Sequence, residues 1–233
     1  MKVKNKYASS AWAWVLCVFA LASVGLFSSV SAQQGKKGSG YLGLLMKSKT
    51  NAYAQAATNN AKQLFLLLFE FDQDFGEFPS DKTAVGDLAA YKGEHANDYL
   101  GQLIAGGYTK SEEIFYVKGG AATVKKPDND ISTKDKTLEA GECGFAYYKG
   151  QSTAANGKLP LLMTPMMGQG FTFDPKPFKG IAIVLHLDGS IARYAIDEQG
   201  DAVLKNGQKL FAGGAGTAWG AKGPDAKRLV FSK

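Results

Sequence analysis

The spacing of apolar positions changes twice along the chain. Residues 11–27 (AWAWVLCVFALASVGLF) are apolar almost without interruption. From residue 41 to 75 apolar side chains recur at three- and four-residue intervals, as at Leu42, Leu45, Met46, Leu64, Leu68 and Phe71, which is the spacing of a helix. Beyond Pro79 the apolar runs are short, and towards the C-terminus they alternate with polar residues. The middle pattern predicts one helix over residues 41–75, about 50 Å long at ~1.5 Å per residue. Gly76 and Pro79 end it. Its second half, residues 64–71 (LFLLLFEF), is apolar nearly all round, which predicts burial on more than one side.

Downstream, Asn97 is placed to cap a short helix carrying Tyr99, Leu100, Leu103 and Ile104, closed by Gly106 and Gly107. Residues 114–117, 144–149 and 159–163 read as short strands, and residues 118–142 as a polar loop rich in lysine and aspartate. The clearest local signal is IAIVLHL-DG-SIARYAI, two alternating segments around Asp188 and Gly189. A two-residue turn there pairs Leu187 with Ser190, Leu185 with Ala192, Ile183 with Tyr194 and Ile181 with Ile196. Those residues form the core face; His186, opposite Ile191, falls on the other face with Val184 and Arg193. A second hairpin is expected around Asn206 and Gly207. The expected fold is α+β, a long N-terminal helix packed on an antiparallel sheet of hairpins.

The N-terminal segment reads as three zones. Lys2, Lys4 and Lys6 precede the apolar run, and residues 28–32 (SSVSA) follow it. This is the order of a secretory signal, with a candidate cut between Ala32 and Gln33. The alternative is an uncleaved anchor, because residues 11–32 are long enough to span a bilayer core of about 20 apolar residues. Residues 33–40 (QQGKKGSG) read as a linker, and residues 41–233 as the globular domain with its long helix.

Charge is unevenly spread. The net charge is +6, yet residues 1–69 hold eight lysines and no acid, which leaves 19 basic against 21 acidic residues in the rest. That near-neutral remainder argues against a nucleic-acid partner, which needs a basic face. Lys47 and Lys49 lie towards the helix N-terminus while Glu70, Asp72, Asp74 and Glu77 lie at its C-terminal end, the reverse of what the helix dipole favours. Lys47 and Lys49 are therefore a candidate interaction face for anionic lipid or an acidic partner; a solvated lysine face is the other reading.

Residues 60–79 (NAKQLFLLLFEFDQDFGEFP) resemble the segment of type II secretion pseudopilins in which the long N-terminal helix enters the globular head. The matching parts are the Asn60-Ala61-Lys62 start, the apolar run, the acidic stretch at Asp72 to Asp74, Gly76, and Phe78-Pro79. The hairpin at Asp188-Gly189 is similar to one near the end of many pilin-like proteins, and residues 173–178 (FDPKPF) resemble weakly the Asp-Pro loop of the major pseudopilin. The resemblance implies a pilin-like fold and a bacterial extracytoplasmic protein, periplasmic or secreted or anchored in the inner membrane, acting in a secretion or cell-surface assembly through protein contacts. The usual prepilin cleavage and N-methylation motif is missing: Gly25 lies inside the apolar run, and no glutamate precedes Glu70.

The inventory for chemistry is thin. The chain has two cysteines, Cys17 and Cys143, and two histidines, His95 and His186, too few for a disulfide framework or a Cys/His zinc site. A Cys–His nucleophile would need Cys143, which reads instead as a small buried strand residue. His186 reads as a strand residue and Asp188 as turn chemistry. Asp128 with Asp130, or Asp197 with Glu198 and Asp201, could contribute to a calcium site, but neither cluster supplies enough oxygens alone. Tyr147, Tyr148, Phe171, Phe173 and Phe178 read as core rather than as a binding rim. The sequence thus points to a protein with no catalytic residues, no cofactor and no metal, working through protein partners and, through residues 11–32, membrane contact. A soluble secreted binding module that keeps only the fold is the alternative.

Overall fold

A computed structural model describes residues 37–120 and 122–233, with side chains from Lys49 onward. Residues 1–36, including Ala32 and Gln33, and the side chain of Lys47 lie outside what is described; Lys49 is exposed. Helix α1 runs Lys37–Phe75, 39 residues, so it takes in the last residues expected as linker. Its buried stripe is Ala54, Ala57, Ala61, Leu64, Leu68 and Phe71, which repeats at three and four residues and so forms one face. The small residues let the sheet approach one half of the helix, and the large ones fill the core under the other.

The expectation that residues 64–71 are buried on more than one side is corrected here. Leu66 is 67% exposed and Phe69 44% exposed, because both lie off the buried stripe. Gly76 ends the helix at φ +77°, its N–H donating to the Asp72 carbonyl at 2.8 Å, a left-handed cap that glycine adopts without strain. The acidic residues at this unfavourable helix end are held by hydroxyl donors. Thr153 donates to Asp72, Tyr108 donates to Asp74, and Ser80 donates to Glu77.

Helix α2 is Ala96–Ala105. His95, not Asn97, holds the cap position; its backbone N–H donates to the Asp98 carboxylate at 3.1 Å. Asn97 is buried and does something else. Its amide donates to the carbonyls of Leu138 (2.7 Å) and Glu139 (3.1 Å), and its oxygen accepts from the Lys233 N–H at 2.8 Å. The C-terminus is thereby pinned to α2.

The sheet has six antiparallel strands: β1 (Ala146–Tyr148), β2 (Pro160–Thr164), β3 (Ile181–His186), β4 (Ile191–Ile196), β5 (Ala202–Val203) and β6 (Leu229–Val230). Their order is β5-β4-β3-β2-β1-β6, a meander with the last strand returning to the β1 edge. Residues 114–117 are not a strand; Glu113–Phe115 is a short 3-10 helix lodged against α1, where the Asn60 amide donates to the carbonyls of Glu113 and Tyr116.

The β3–β4 register differs from the expected one by one residue. Leu185 faces Ile191, Ile183 faces Arg193 and Ile181 faces Ala195. The turn contains three residues rather than two: His186 N–H donates to the Ser190 carbonyl, and Gly189 N–H donates to the His186 carbonyl at φ +78°. This is a type I turn closed by a left-handed glycine. The same hydrogen-bond pattern recurs at Asp197–Gly200–Asp201 and at Leu204–Gly207–Gln208, so three successive turns share one design. The one-residue shift leaves the core face of β3 as expected but moves Arg193 onto the helix side. There its guanidinium donates to Gln55 and to Thr58 of α1, both at 3.0 Å.

One face of the sheet, with Tyr147, Leu162, Ile183, Leu185 and Val230, packs on α1 and α2. The other, with Ala146, Tyr148, Met163, Val184 and Leu229, is covered by Leu210, Phe211 and Trp219 of the C-terminal coil and by Phe173. The protein is therefore an α+β fold with a helix on a curled antiparallel sheet and an irregular third layer.

Candidate functional site

The polar loop between α2 and β1 passes through one small region three times. The first pass brings Glu112, the second Asp128, the third Glu142. One carboxylate oxygen from each lies within 4.8 Å of the others. Glu112 and Glu142 have no solvent exposure. Loops this long are uncommon unless something organises them, and here the acids do so. Leu138 N–H donates to Glu112 Oε1 at 2.7 Å, Glu139 N–H donates to Glu142 Oε2 at 2.8 Å, and Glu112 N–H donates to Asn129 Oδ1 at 2.7 Å.

Glu112 Oε2 remains without a hydrogen bond, and Glu142 Oε1 is met only by an ammonium. The Lys125 ammonium lies 2.9 Å from Glu142 Oε1 and 3.2 Å from Asp128, and also contacts Glu139. Lys125 faces three acids there, Lys136 reaches Glu139 alone of them at 3.9 Å, and Glu112 makes no ion pair. Burial first, and then the Glu142 and Asp128 carboxylates, raise the Glu112 carboxyl above its ordinary value. An uncompensated buried carboxylate costs several kcal/mol. The arrangement is chemically suited to holding a hard cation.

The other acids fare differently. Asp130 accepts from the Ser132 hydroxyl and N–H. Asp197 accepts from Gln199 and Asp201 N–H groups within its own turn, and Asp201 pairs with Lys209 at 2.6 Å. Of the two acidic clusters expected from sequence, only Asp128 enters the three-acid group; Glu112 and Glu142 were not among the candidates.

Cys143 belongs to the α1 side of the core and donates weakly to the Phe145 carbonyl; burial pushes its thiol up to about 12. His186 faces the opposite side of the sheet. Its Nδ1 lies 2.8 Å from the Lys158 carbonyl, which can only accept, so Nδ1 carries the proton and Nε2 accepts from the Tyr194 hydroxyl at 2.9 Å. Both nitrogens are engaged, and the structure does not bring Cys143 and His186 together. His186 and Tyr194 border a cavity of about 350 Å³ beneath Leu204 and Leu210. Tyr147, Tyr148, Phe173 and Phe178 are buried, while Phe171 stacks on Phe211 at 4.5 Å.

A further surface feature is the outer side of α1. Leu66 and Leu67 border a groove of about 850 Å³ whose opposite wall is Ile114, Tyr116 and Pro127. Phe69 lies one helical step from Leu66. Among the described residues, no helix is long and apolar enough to cross a membrane. A scan against protein-family models and searches of curated proteins and solved structures gave no match to the chain.

Proposed function

We propose that the protein is a non-enzymatic, extracytoplasmic, pilin-like component related to the pseudopilins of type II secretion, acting in a secretion or cell-surface assembly through contacts made along α1. The observation that carries this reading is the exposed pair Leu66 and Phe69 on a 39-residue helix, lying off its buried stripe. At ~1.5 Å per residue such a helix is about 58 Å long, and from Lys49 onward, where side chains are described, its first buried apolar residue is Ala54. Large apolar side chains on one exposed helix face suit an apolar partner surface. Exposed Lys49, with Lys47 close in sequence, adds a basic stretch upstream that fits an acidic partner or lipid headgroups. Residues 11–32 tether the chain to the membrane or direct its export.

Native electrophoresis of detergent extracts tests the proposal. The full-length chain is expected to migrate in an assembly, and Leu66→Glu or Phe69→Glu is expected to release it while leaving its thermal stability nearly unchanged. Migration of wild type and both variants as the same monomer would contradict it.

A further inference from the structure

Glu112 Oε2 is fully buried, makes no hydrogen bond, and belongs to a side chain grouped with two other carboxylates. Native proteins rarely leave such an atom without a partner. We infer that Glu112, Asp128 and Glu142 hold a divalent cation of the calcium type, and that Lys125 competes with it for the same carboxylates.

The donor chemistry selects the ion. All three groups are carboxylates, with no histidine or cysteine among them, so zinc and copper are disfavoured. Calcium bonds to oxygen at 2.3–2.6 Å, so two oxygens on one ion stand no more than about 4.6–5.2 Å apart. The observed spread, within 4.8 Å, meets that limit. Magnesium usually keeps most of its waters and takes one or two carboxylates; three acids, two of them fully buried, suit calcium better. Lys125 reaches the site from a partly exposed position, with 37% of its side chain in solvent, so it can swing outward as the ion enters. The ion would join three passes of one irregular loop, which is where a cross-link restrains the chain most. The same loop supplies Ile114, Tyr116 and Pro127 to the groove beside α1.

The test is calcium titration calorimetry on the chelator-treated full chain in detergent micelles. One ion per chain should bind saturably. Glu112→Gln and Asp128→Asn should each weaken binding at least about tenfold, Asp197→Asn in the separate acidic turn should leave it unchanged, and Lys125→Gln should tighten it by about tenfold. Circular dichroism without calcium checks that each variant is folded. The Lys125 variant keeps the test decisive if the buried acids do not tolerate replacement. No saturable binding by wild type and Lys125→Gln up to about 5 mM calcium, above the ~10⁻³ M reached by weak extracellular sites, would overturn the inference. So would unchanged affinity in folded Glu112→Gln and Asp128→Asn, or preferential binding of magnesium.

Discussion

Phe65 of α1 packs directly over Gly189 of the β3–β4 turn: a Cβ on Gly189 would lie 2.5 Å from the Phe65 ring. Gly189 is thus fixed by two demands, the left-handed φ of +78° and the close approach of the helix. Gly207 occupies the matching place in the third of these turns, at φ +81°, with nothing within 4 Å of where its Cβ would go. Gly207→Ala should cost about 1 kcal/mol, the backbone penalty alone. Gly189→Ala should cost about 2–4 kcal/mol, because the ring must also move. Urea unfolding of both variants separates the terms; equal losses would mean that the contact with Phe65 contributes nothing.

The same turn shows how far the sequence could be read. Alternation around Asp188-Gly189 specifies a hairpin and the inward face of β3, because Ile183 and Leu185 have no other place to go. It does not specify whether the turn holds two residues or three, and that difference decides whether Arg193 faces the helix. β6 escaped notice because a two-residue strand carries no periodicity; it exists by pairing with β1, far away in sequence. Leu66 and Phe69 looked buried because composition reports how apolar a helix is and not which sides the tertiary fold covers. Asn97 has capping chemistry, but its amide is used to bind Leu138 and Glu139. Glu112, Asp128 and Glu142 follow no spacing motif, since folding of the loop alone brings them together.

Asn97 should be the most sensitive polar residue near the C-terminus. Asn97→Ala leaves two carbonyls and the Lys233 N–H without their partner. The expected loss is about 2–4 kcal/mol, with faster proteolysis of the last residues. A loss under about 0.5 kcal/mol, the range of an ordinary surface change, would contradict this role.

His186 should make stability fall in mild acid. Burial lowers its folded-state pKa from the ordinary 6.5, against the raising effects of the Lys158 carbonyl and Asp188. The unfolded chain therefore binds more protons in the window just below pH 6.5, and stability falls as the pH drops through it. Above that window the contribution is fully present. His186→Gln removes the titration while keeping a donor for Lys158. Between about pH 8 and about pH 5, wild type should lose more stability than the variant, and parallel curves would refute the assignment.

Cys143 should be silent in the folded protein. It has no solvent exposure, and a buried thiol is protonated and shielded from reagents. In a Cys17→Ser background, a thiol-reactive dye should label the chain only as fast as it unfolds. Rapid stoichiometric labelling under native conditions would show that the region around Cys143 opens locally.

The central claim is that the outer face of α1 meets a partner, and site-specific photo-crosslinking in living cells tests it most directly. A photoreactive residue is placed at Leu66, and as a control at Val124, which is 85% exposed but lies on the polar loop. The account predicts one discrete crosslinked species from position 66, identified as a second copy or as a subunit of an export or surface assembly, and none from position 124. No product at position 66, or the same products from both positions, would contradict it.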